Sequence, residues 1–429
     1  MIITAPILLS SHNGVPEAIE GGAIVVQRGT ILDVGAASVI LKSHPGHRIS
    51  NLSNAVLMPG LVNVHAHLEL PELLTKIQAA TFSEWVLNLV NAKRHLKKSD
   101  YRAAVADNIQ ALIQSGTTTV GEICTHNISP TLLKQAGLRA LVFREIIGMN
   151  KLSHRAYVNM QILRLGYAQV VNKLSESFRR RAAGLMRLGI SPHAPYTVSR
   201  ELLTKIKKIA RMRNMRITMH VAESMDEVLL LQRKKSGFEK LYHRAGWDTD
   251  WAPAADSPFG YLHDLGFFDE CFLAVHAVQA TDRDIDLMQK ADISVAHCPR
   301  SNKETGVGTM PLKKFLDAGI TVGLGTDSLA SSPSLSMWDE MRYAFDIHRG
   351  DGITARDIIG LATFGGATAL GMEHEVGTLE PGKKADIIAV PLPRRDTGDL
   401  YADLLRETKS CIMSMVNGKM IYRRNREKT

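Results

Sequence analysis

The chain has 429 residues, of which 45% are hydrophobic and 22% are charged, so it is long enough for two ordinary domains or one large α/β barrel with an appendage. Its four cysteines lie far apart and form no C-x-x-C pair, so neither a disulfide framework nor a thiolate metal site is indicated. The formal net charge of +9 comes from 52 basic and 43 acidic residues dispersed along the chain, and this dispersion argues against a nucleic-acid partner.

The amino terminus begins with Met-Ile-Ile-Thr-Ala-Pro and lacks the basic segment and apolar core of an export signal. No run reaches the roughly 18 apolar residues that a membrane-spanning helix needs. Together with the unpaired cysteines, this favours a protein of the reducing cytoplasm that does not span a membrane.

Both ends of the chain show the pattern of β-hairpins. Apolar runs separated by turns occupy residues 2–9, 23–26 and 31–34 near the start, and residues 385–390 and 415–422 near the end. Asn417-Gly418, inside the last of these runs, is a strong hairpin turn. We therefore predict one small β-sandwich domain built from residues 1–57 and 374–429, with a central domain of residues 58–373 between its halves.

The central domain alternates strand patterns with helix patterns. After the apolar run that ends at His67, strand-like runs follow at 117–123, 138–147, 189–191, 217–221, 272–278, 293–297 and 320–325. Segments of helical period lie between them, at 101–114, 200–212, 282–290 and 335–345 among others. Eight such units predict an α/β fold, a (β/α)8 TIM barrel, whose active site lies at the carboxyl ends of the strands.

Residues that can bind a metal lie at these predicted strand ends. His65 and His67 are alternate residues of a strand, so both side chains face one side while Ala66 faces the other. The remaining candidates end or follow later strands and are His193, His220, His276 and Asp327. Because the strand ends of a barrel surround one cavity, we expect all six side chains to meet there.

Several short motifs together resemble a known family. They are Val62-x-x-His65-x-His67, His220-Val-Ala-Glu223, Val275-His-Ala277, His297-Cys-Pro-x-Ser-Asn302 and Gly323-x-Gly-Thr-Asp327. The set resembles the amidohydrolase superfamily, and within it the branch that holds triazine hydrolases and aminopurine or adenosine-type deaminases. The resemblance covers essentially the whole chain, and its motifs indicate the branch more strongly than the substrate.

The resemblance implies that His65, His67, His220 and Asp327 bind one divalent metal, with zinc expected and iron the alternative. Three nitrogens and a carboxylate leave room for a water, as a catalytic site requires. Relatives with two metals bridge them with a modified lysine on the fourth strand. Here that strand ends at His193 with no lysine nearby, so we expect a single metal.

The chemistry expected of this arrangement is hydrolysis. A divalent metal lowers the pKa of a bound water from 15.7 to roughly 7, and a mobile carboxylate then moves the protons. Glu223, three residues after His220, is positioned for that role and for contact with the substrate. Asp327 is expected to orient the water as well as to bind the metal, and His276 to stabilise the attacking oxygen.

The substrate contacts predicted from the resemblance are Trp85, Arg144 and His193, together with Glu223. In methylthioadenosine and adenosylhomocysteine deaminases, a carboxylate on the segment after the tryptophan holds the ribose, but here Arg94 stands near that position. The His67-Leu-Glu69 stretch and Phe82-x-x-Trp85-Val86 look closer to the aminodeoxyfutalosine deaminases of menaquinone biosynthesis. The substrate of that group carries a carboxylate, which Arg144 or Arg94 could bind.

Three alternatives stay open at this point. One is a methylthioadenosine or adenosylhomocysteine deaminase, and another is a triazine-type chlorohydrolase or aminohydrolase on the same scaffold, because the metal chemistry is shared and only the pocket differs. The third is a non-catalytic scaffold protein, which the presence of every ligand and of Glu223 disfavours. The expected partner is a small-molecule substrate, and a homo-oligomer is compatible with the sequence.

Overall fold

The structure is a computed structural model that describes residues 1–12, 14–149, 184–248 and 250–424. The strands in this part of the chain are β1 (Ile2–His12), β2 (Val15–Gln27), β3 (Thr30–Ala36), β4 (Ile49–Asn51), β5 (Ala55–Pro59), β6 (Leu61–Ala66), β7 (Thr117–Cys124), β8 (Arg139–Ile146), β9 (Met186–Pro192), β10 (Ile217–Val221), β11 (Phe272–His276), β12 (Ser294–His297), β13 (Val322–Leu324), β14 (Ile387–Pro391), β15 (Met413–Val416) and β16 (Lys419–Arg423). They form two sheets of eight strands each.

The α-helices of the described residues are α1 (Ala37–Ser43), α2 (Phe82–Lys93), α3 (Lys98–Ser115), α4 (Ser129–Ala136), α5 (Arg200–Arg213), α6 (Met225–Leu231), α7 (Glu239–Ala245), α8 (Pro258–Asp264), α9 (Asp282–Lys290), α10 (Pro299–Glu304), α11 (Leu312–Asp317), α12 (Met337–His348), α13 (Ala355–Gly360), α14 (Gly366–Ala369) and α15 (Leu400–Glu407). Short 3-10 helices span Glu72–Lys76 and Arg349–Asp351, and a π-helical turn spans Leu361–Gly365. None of the helices described here is both long enough and apolar enough to cross a bilayer.

The first sheet joins the two ends of the chain. Its strand order is β16-β15-β14-β5-β1-β2-β3, with β4 paired to β1, and the antiparallel pair of β14 with β5 connects the two halves. Asn417 and Gly418 form the turn between β15 and β16, with φ angles of +49° and +71°. Positive φ at both turn residues is the requirement that makes Asn-Gly a hairpin signal. The predicted β domain formed by both chain ends is confirmed.

The second sheet is the barrel. Strands β6 to β13 are neighbours in sequence order and the pairs between them are parallel. Backbone contacts at the carboxyl ends join the first strand to the last, because Asp327 N–H donates to His65 O at 3.0 Å and His67 N–H donates to Asp327 O at 3.3 Å. The predicted eight-stranded α/β barrel is confirmed, and its two edges meet at the residues predicted to bind metal.

Strand side chains alternate between the barrel interior and the helix layer. The interior cluster contains residues of β6, β7, β8, β11 and β12, and Leu370 and Met372 pack against it from the segment after α14. The opposite faces of β10, β11 and β12 pack against the outer helices, for example through Phe315 and Trp338. Burying each such large apolar side chain contributes about 1.5–3 kcal/mol, so the strand faces are fixed relative to the helices.

A buried ion pair connects the barrel to the β domain. Arg139, at the start of β8, is 1% exposed and donates to both carboxylate oxygens of Asp386, at 2.8 and 3.0 Å. Asp386 also accepts the backbone N–H of Asn417 at 2.7 Å. This two-point contact has the geometry in which arginine and carboxylate pair most strongly, and it fixes the two sheets against each other at the amino-terminal side of the barrel.

Candidate active site

The four predicted metal ligands converge at the carboxyl end of the barrel. The Nε2 atoms of His65 and His220 are 3.2 Å apart, and Asp327 Oδ1 lies 3.6 Å from His65 Nε2 and 3.5 Å from His67 Nε2. One ligand atom from each of the four residues lies within 4.8 Å of the other three. Three imidazole nitrogens and one carboxylate oxygen therefore surround a single point.

A local irregularity of β6 aims its two histidines inward. The pairing of β6 with β7 shifts register between Asn63 and Ala66, where the strand ends. Val64 belongs to the interior cluster, whereas Ala66 packs with Val105 and Ile109 of α3 in the helix layer. As predicted from the two-residue period, Ala66 faces away from the side that His65 and His67 share.

The chemical state of these donors fits a divalent metal. His220 Nδ1 lies 2.8 Å from the carbonyl oxygen of His193, which can only accept, so Nδ1 carries the proton and Nε2 keeps its lone pair. Burial lowers the pKa of His65 to about 3 and that of His67 to about 4, so both rings are neutral at pH 7. Neutral imidazoles and an ionised carboxylate are the ligand forms that zinc requires.

Asp327 is prepared as the anionic ligand. Burial alone would raise its pKa, but the hydrogen bond with His65 and the nearby His67 hold the pKa well below its usual range. Its Oδ2 accepts hydrogen bonds from Ser301 Oγ at 2.6 Å and Ser331 Oγ at 2.8 Å, which leaves Oδ1 directed at the imidazoles. These two serines were not predicted as site residues, and they fix the orientation of the carboxylate.

Glu223 and His276 lie beside the four ligands as a second polar pair. Glu223 Oε1 is 3.5 Å from His276 Nε2, and the His276 ring centroid is 5.4 Å from that of His220. Burial, followed by the negative charges of Asp327 and Glu227, raises the pKa of Glu223 well above its usual range. A raised pKa lets this carboxyl group hold a proton more readily than an ordinary glutamate, as a group that both accepts and donates protons requires.

His276 owes its position to an unusual backbone conformation. Phe272 and Ala274 of β11 face the helix layer, so simple alternation would send residue 276 the same way. His276 instead has φ +72° and Ala277 has φ +49°, a left-handed conformation that non-glycine residues rarely adopt. The Asn302 side chain holds the ring through a 2.8 Å contact of Oδ1 with Nδ1. Such local strain is typical of functional sites.

Glu227 is a site residue that the sequence reasoning missed. Its Oε1 accepts the backbone N–H of Ala222 at 3.1 Å and its Oε2 accepts that of Glu223 at 2.9 Å. Burial raises the pKa of Glu227 to about 8, although the two N–H donors lower it. Ser224-x-x-Glu227 at the start of α6 has the spacing of a capping box, which could have drawn attention to this glutamate.

His193 and Trp85, two of the predicted substrate contacts, lie near a metal ligand or near a segment that carries one. The His193 ring centroid is 4.9 Å from that of His220, and His193 Nδ1 is 2.8 Å from Thr197 Oγ1. Trp85 of α2 stacks on Phe82 at a centroid distance of 5.8 Å and packs against a cluster that contains Ala330, three residues after Asp327. Contact of His193 and Trp85 with substrate stays a prediction.

Arg144 and Glu145 face opposite sides of β8. Leu141 and Phe143 belong to the interior cluster and Val142 belongs to the helix layer, so Glu145 continues the interior face and Arg144 the outer one. Arg144 is half-buried and its Nη1 donates to Cys124 O at 3.3 Å. The role of Arg144 in substrate binding stays a prediction, but Glu145 is the residue of this pair that continues the interior face, and it is close enough to His67 to affect its pKa.

Lys93 and Arg94, at the end of α2, also differ in what they face. Lys93 is half-buried and close enough to Glu145, His193 and His126 to shift their pKa values, whereas Arg94 is exposed. Lys93 lies eight residues after Trp85, a spacing that places both on one face of a helix. This helical spacing is the signal that could have selected Lys93.

Comparisons with known proteins agree with this geometry. Residues 56–421 match the Amidohydrolase family. The 5-methylthioadenosine/S-adenosylhomocysteine deaminase of Pelotomaculum thermopropionicum is 31% identical over 417 residues, which cover 93% of this chain and 88% of the relative.

Two solved structures share the fold. The Helicobacter pylori aminofutalosine deaminase in complex with methylthio-coformycin superimposes with a TM-score of 0.84 at 24% identity, covering 98% of this chain and 99% of the other. The atrazine chlorohydrolase of Arthrobacter aurescens complexed with zinc gives a TM-score of 0.79 at 20% identity, covering 98% and 95%. The family predicted from the motifs and the predicted class of enzyme are confirmed: the chain belongs to the amidohydrolase family and is a hydrolytic deaminase.

Proposed function

We propose that this protein hydrolytically deaminates an aminopurine nucleoside. The observation that carries the proposal is the convergence of His65, His67, His220 and Asp327 on one point, with the Glu223–His276 pair next to it. The match to a relative named as a nucleoside deaminase supports the same reaction. Hydrolysis would replace the exocyclic amino group of the purine with oxygen and release ammonia.

The four-residue cluster would hold one divalent metal, with zinc proposed first and iron second. When bound, such a metal lowers the pKa of a water to roughly 7 and so supplies a nucleophile at neutral pH. The set matches zinc because its donors are nitrogens and a carboxylate oxygen. Nothing in the mechanism requires a second metal, so one per chain is proposed.

Glu223 would move the protons of the reaction. It takes one proton from the attacking water and delivers it to the purine ring, and the second proton goes to the departing amino group. Its raised pKa suits alternate proton uptake and release. The two backbone N–H groups held by Glu227 fix the segment that carries Glu223, so the carboxyl group meets the substrate in one orientation.

His276 and Asp327 would assist the attack. Burial lowers the pKa of His276 to about 3, so the ring is neutral at pH 7. The amide oxygen of Asn302 accepts the Nδ1 proton, so Nε2 of the neutral ring keeps its lone pair on the side that faces Glu223. There Nε2 would accept a hydrogen bond from the attacking water or from the Glu223 carboxyl group, and so would orient the attack. Asp327 Oδ1 faces the same point and would orient the water.

The substrate proposed first is aminodeoxyfutalosine, or another aminopurine nucleoside with a carboxylate on its 5′ substituent. The support is Lys93, whose positive charge lies close enough to His193 to lower its pKa. Arg144, at the end of β8, is the second cation that could bind the carboxylate. Methylthioadenosine and adenosylhomocysteine are the second candidates, as the name of the Pelotomaculum relative suggests. A small nucleoside is proposed as the partner of this site, and a homo-oligomer is compatible with it.

A substrate panel tests the proposal. Metal-loaded protein is given aminodeoxyfutalosine, methylthioadenosine, adenosylhomocysteine, adenosine and a chlorinated triazine, and ammonia or chloride release is measured together with the purine absorbance change. A charge-assisted pair contributes about 1.5–3 kcal/mol, so we expect kcat/KM for the 5′-carboxylate substrate to be at least about tenfold above that for adenosine.

Matched variants identify the positively charged side chain that causes the preference for a 5′-carboxylate substrate. Lys93→Met and Arg144→Met should each narrow the gap, while Arg94→Met serves as the exposed control on the same helix end. Equal activity on neutral nucleosides would overturn the carboxylate preference. Turnover of the triazine alone would replace the nucleoside proposal, and no turnover by a metal-loaded protein would favour a scaffold role.

A further inference from the structure

Glu145 is a carboxylate at the barrel mouth that the proton transfers do not use. Strand β8 keeps an unbroken parallel register with β7 and β9 from Ala140 to Arg144 and beyond. Its side chains therefore alternate strictly, and Leu141 and Phe143 lie in the interior cluster. Glu145 is the next residue on that face, so it stands at the carboxyl end of the strand, above the interior and within electrostatic range of His67.

The surroundings of Glu145 keep it ionised. Burial alone would raise its pKa, but His193, Lys93, His67 and the Thr125 hydroxyl lower the pKa to about 2. Thr125 Oγ1 donates to Oε2 at 2.7 Å and so fixes the plane of the carboxylate. His67 is a ligand of the proposed metal site and His193 is a predicted substrate contact, so the carboxylate borders the space that a substrate must occupy.

An ionised carboxylate only accepts hydrogen bonds, so its ligand must present donors. A nucleoside whose amino group points at the metal ligands turns its sugar toward the mouth, and two neighbouring sugar hydroxyls are donors spaced for the two oxygens of one carboxylate. Lys93 supplies a positive charge near the Glu145 carboxylate, but it is not the ligand that this carboxylate is proposed to bind. We propose that Glu145 binds the 2′ and 3′ hydroxyls of the nucleoside substrate and selects ribose over deoxyribose.

This inference rests on the proposed function, and a sugar series tests it. The deaminations of adenosine, 2′-deoxyadenosine, 3′-deoxyadenosine and 2′,3′-dideoxyadenosine are measured with the wild type, Glu145→Ala and Glu145→Gln. Glu72→Gln is the matched control, because Glu72 is an exposed glutamate of the 3-10 helix that follows the His67 segment. Metal content and the denaturation midpoint are measured for each variant.

The wild type should prefer adenosine over the dideoxy compound by about thirtyfold or more, since a hydrogen bond to a charged group is worth about one to two decades. Glu145→Ala should lose that preference by slowing adenosine alone, Glu145→Gln should lose part of it, and Glu72→Gln should keep it. An equal loss on all four sugars, or an unchanged preference, overturns the inference while nucleoside deamination stands. If the wild type deaminates no nucleoside, including the larger substrates of the panel above, the proposed function fails as well.

Discussion

Glu227→Ala offers a sharp test of how the backbone around Glu223 is held. The substitution removes the acceptor of two buried N–H groups, those of Ala222 and Glu223, now at 3.1 and 2.9 Å. A buried donor left unpaired costs about 1–3 kcal/mol, so the free energy of unfolding should fall by about 2–6 kcal/mol. Ala222 has φ +52°, a conformation that alanine leaves readily when its contacts are lost.

The same change should reach catalysis through Glu223. A displacement of the carboxyl group by about 1 Å lowers the rate about a hundredfold, so kcat should fall by that order while the metal content stays at the wild-type level. Glu227→Gln keeps one acceptor oxygen, so its free energy of unfolding should fall by roughly half as much as that of Glu227→Ala. Urea denaturation and steady-state kinetics measure the two effects, with Asp286→Ala, an exposed acid of α9, as the control. Wild-type stability in Glu227→Ala would refute the hydrogen-bond account, and wild-type kcat would refute the positioning role.

Three further predictions concern the site residues and Glu340, a buried glutamate of α12. His65→Ala should lose the metal, whereas Glu223→Gln should keep it and lose turnover by several orders of magnitude. Elemental analysis and steady-state kinetics measure the two effects. A Glu223→Gln protein without metal would contradict the ligand assignment. Asn302→Leu leaves the buried Nδ1 of His276 without a partner and should lower kcat about tenfold to a hundredfold, so an unchanged kcat would argue against its positioning role. Burial raises the pKa of Glu340 from 4.5 to about 8 despite the N–H of Arg300, so its stabilising protonated form is complete below pH 4.5 and is lost as the pH rises to about 8. Melting curves should therefore show the wild type losing stability relative to Glu340→Gln as the pH rises from about 5 to about 8, by about 1.4 kcal/mol for each pH unit, and parallel curves would contradict this.

The fold was predictable because each of its periodicities is local. The strand runs alternate with helical segments along the chain, and Asn417-Gly418 defines its own turn, so the barrel and the β domain follow from neighbouring residues. The ligand set was predictable for a related reason: His65, His67, His220 and Asp327 lie at strand ends, and the barrel brings strand ends together whatever their separation in sequence.

The parts of the site that could not be predicted from the sequence depend on the direction in which individual side chains point. Arg144 and Glu145 are adjacent in the sequence, and only the packing of Leu141 and Phe143 shows which of the two side chains faces the interior. His276 reaches the site through a left-handed backbone that alternation does not predict. Glu227 serves backbone groups of its own loop, so its importance depends on the conformation of Ala222 and not on a motif for chemistry.

Hydrolysis of the amino group of a purine nucleoside at a single metal site is tested by turnover of the nucleoside in water labelled with heavy oxygen. The product is then examined by mass spectrometry and the released ammonia is measured. We expect one labelled oxygen in each oxopurine product, one ammonia for each product, and loss of both in a metal-loaded Glu223→Gln variant. Metal-loaded wild type that releases no ammonia from any nucleoside, or a Glu223→Gln variant that forms the labelled product at the wild-type rate, would contradict it.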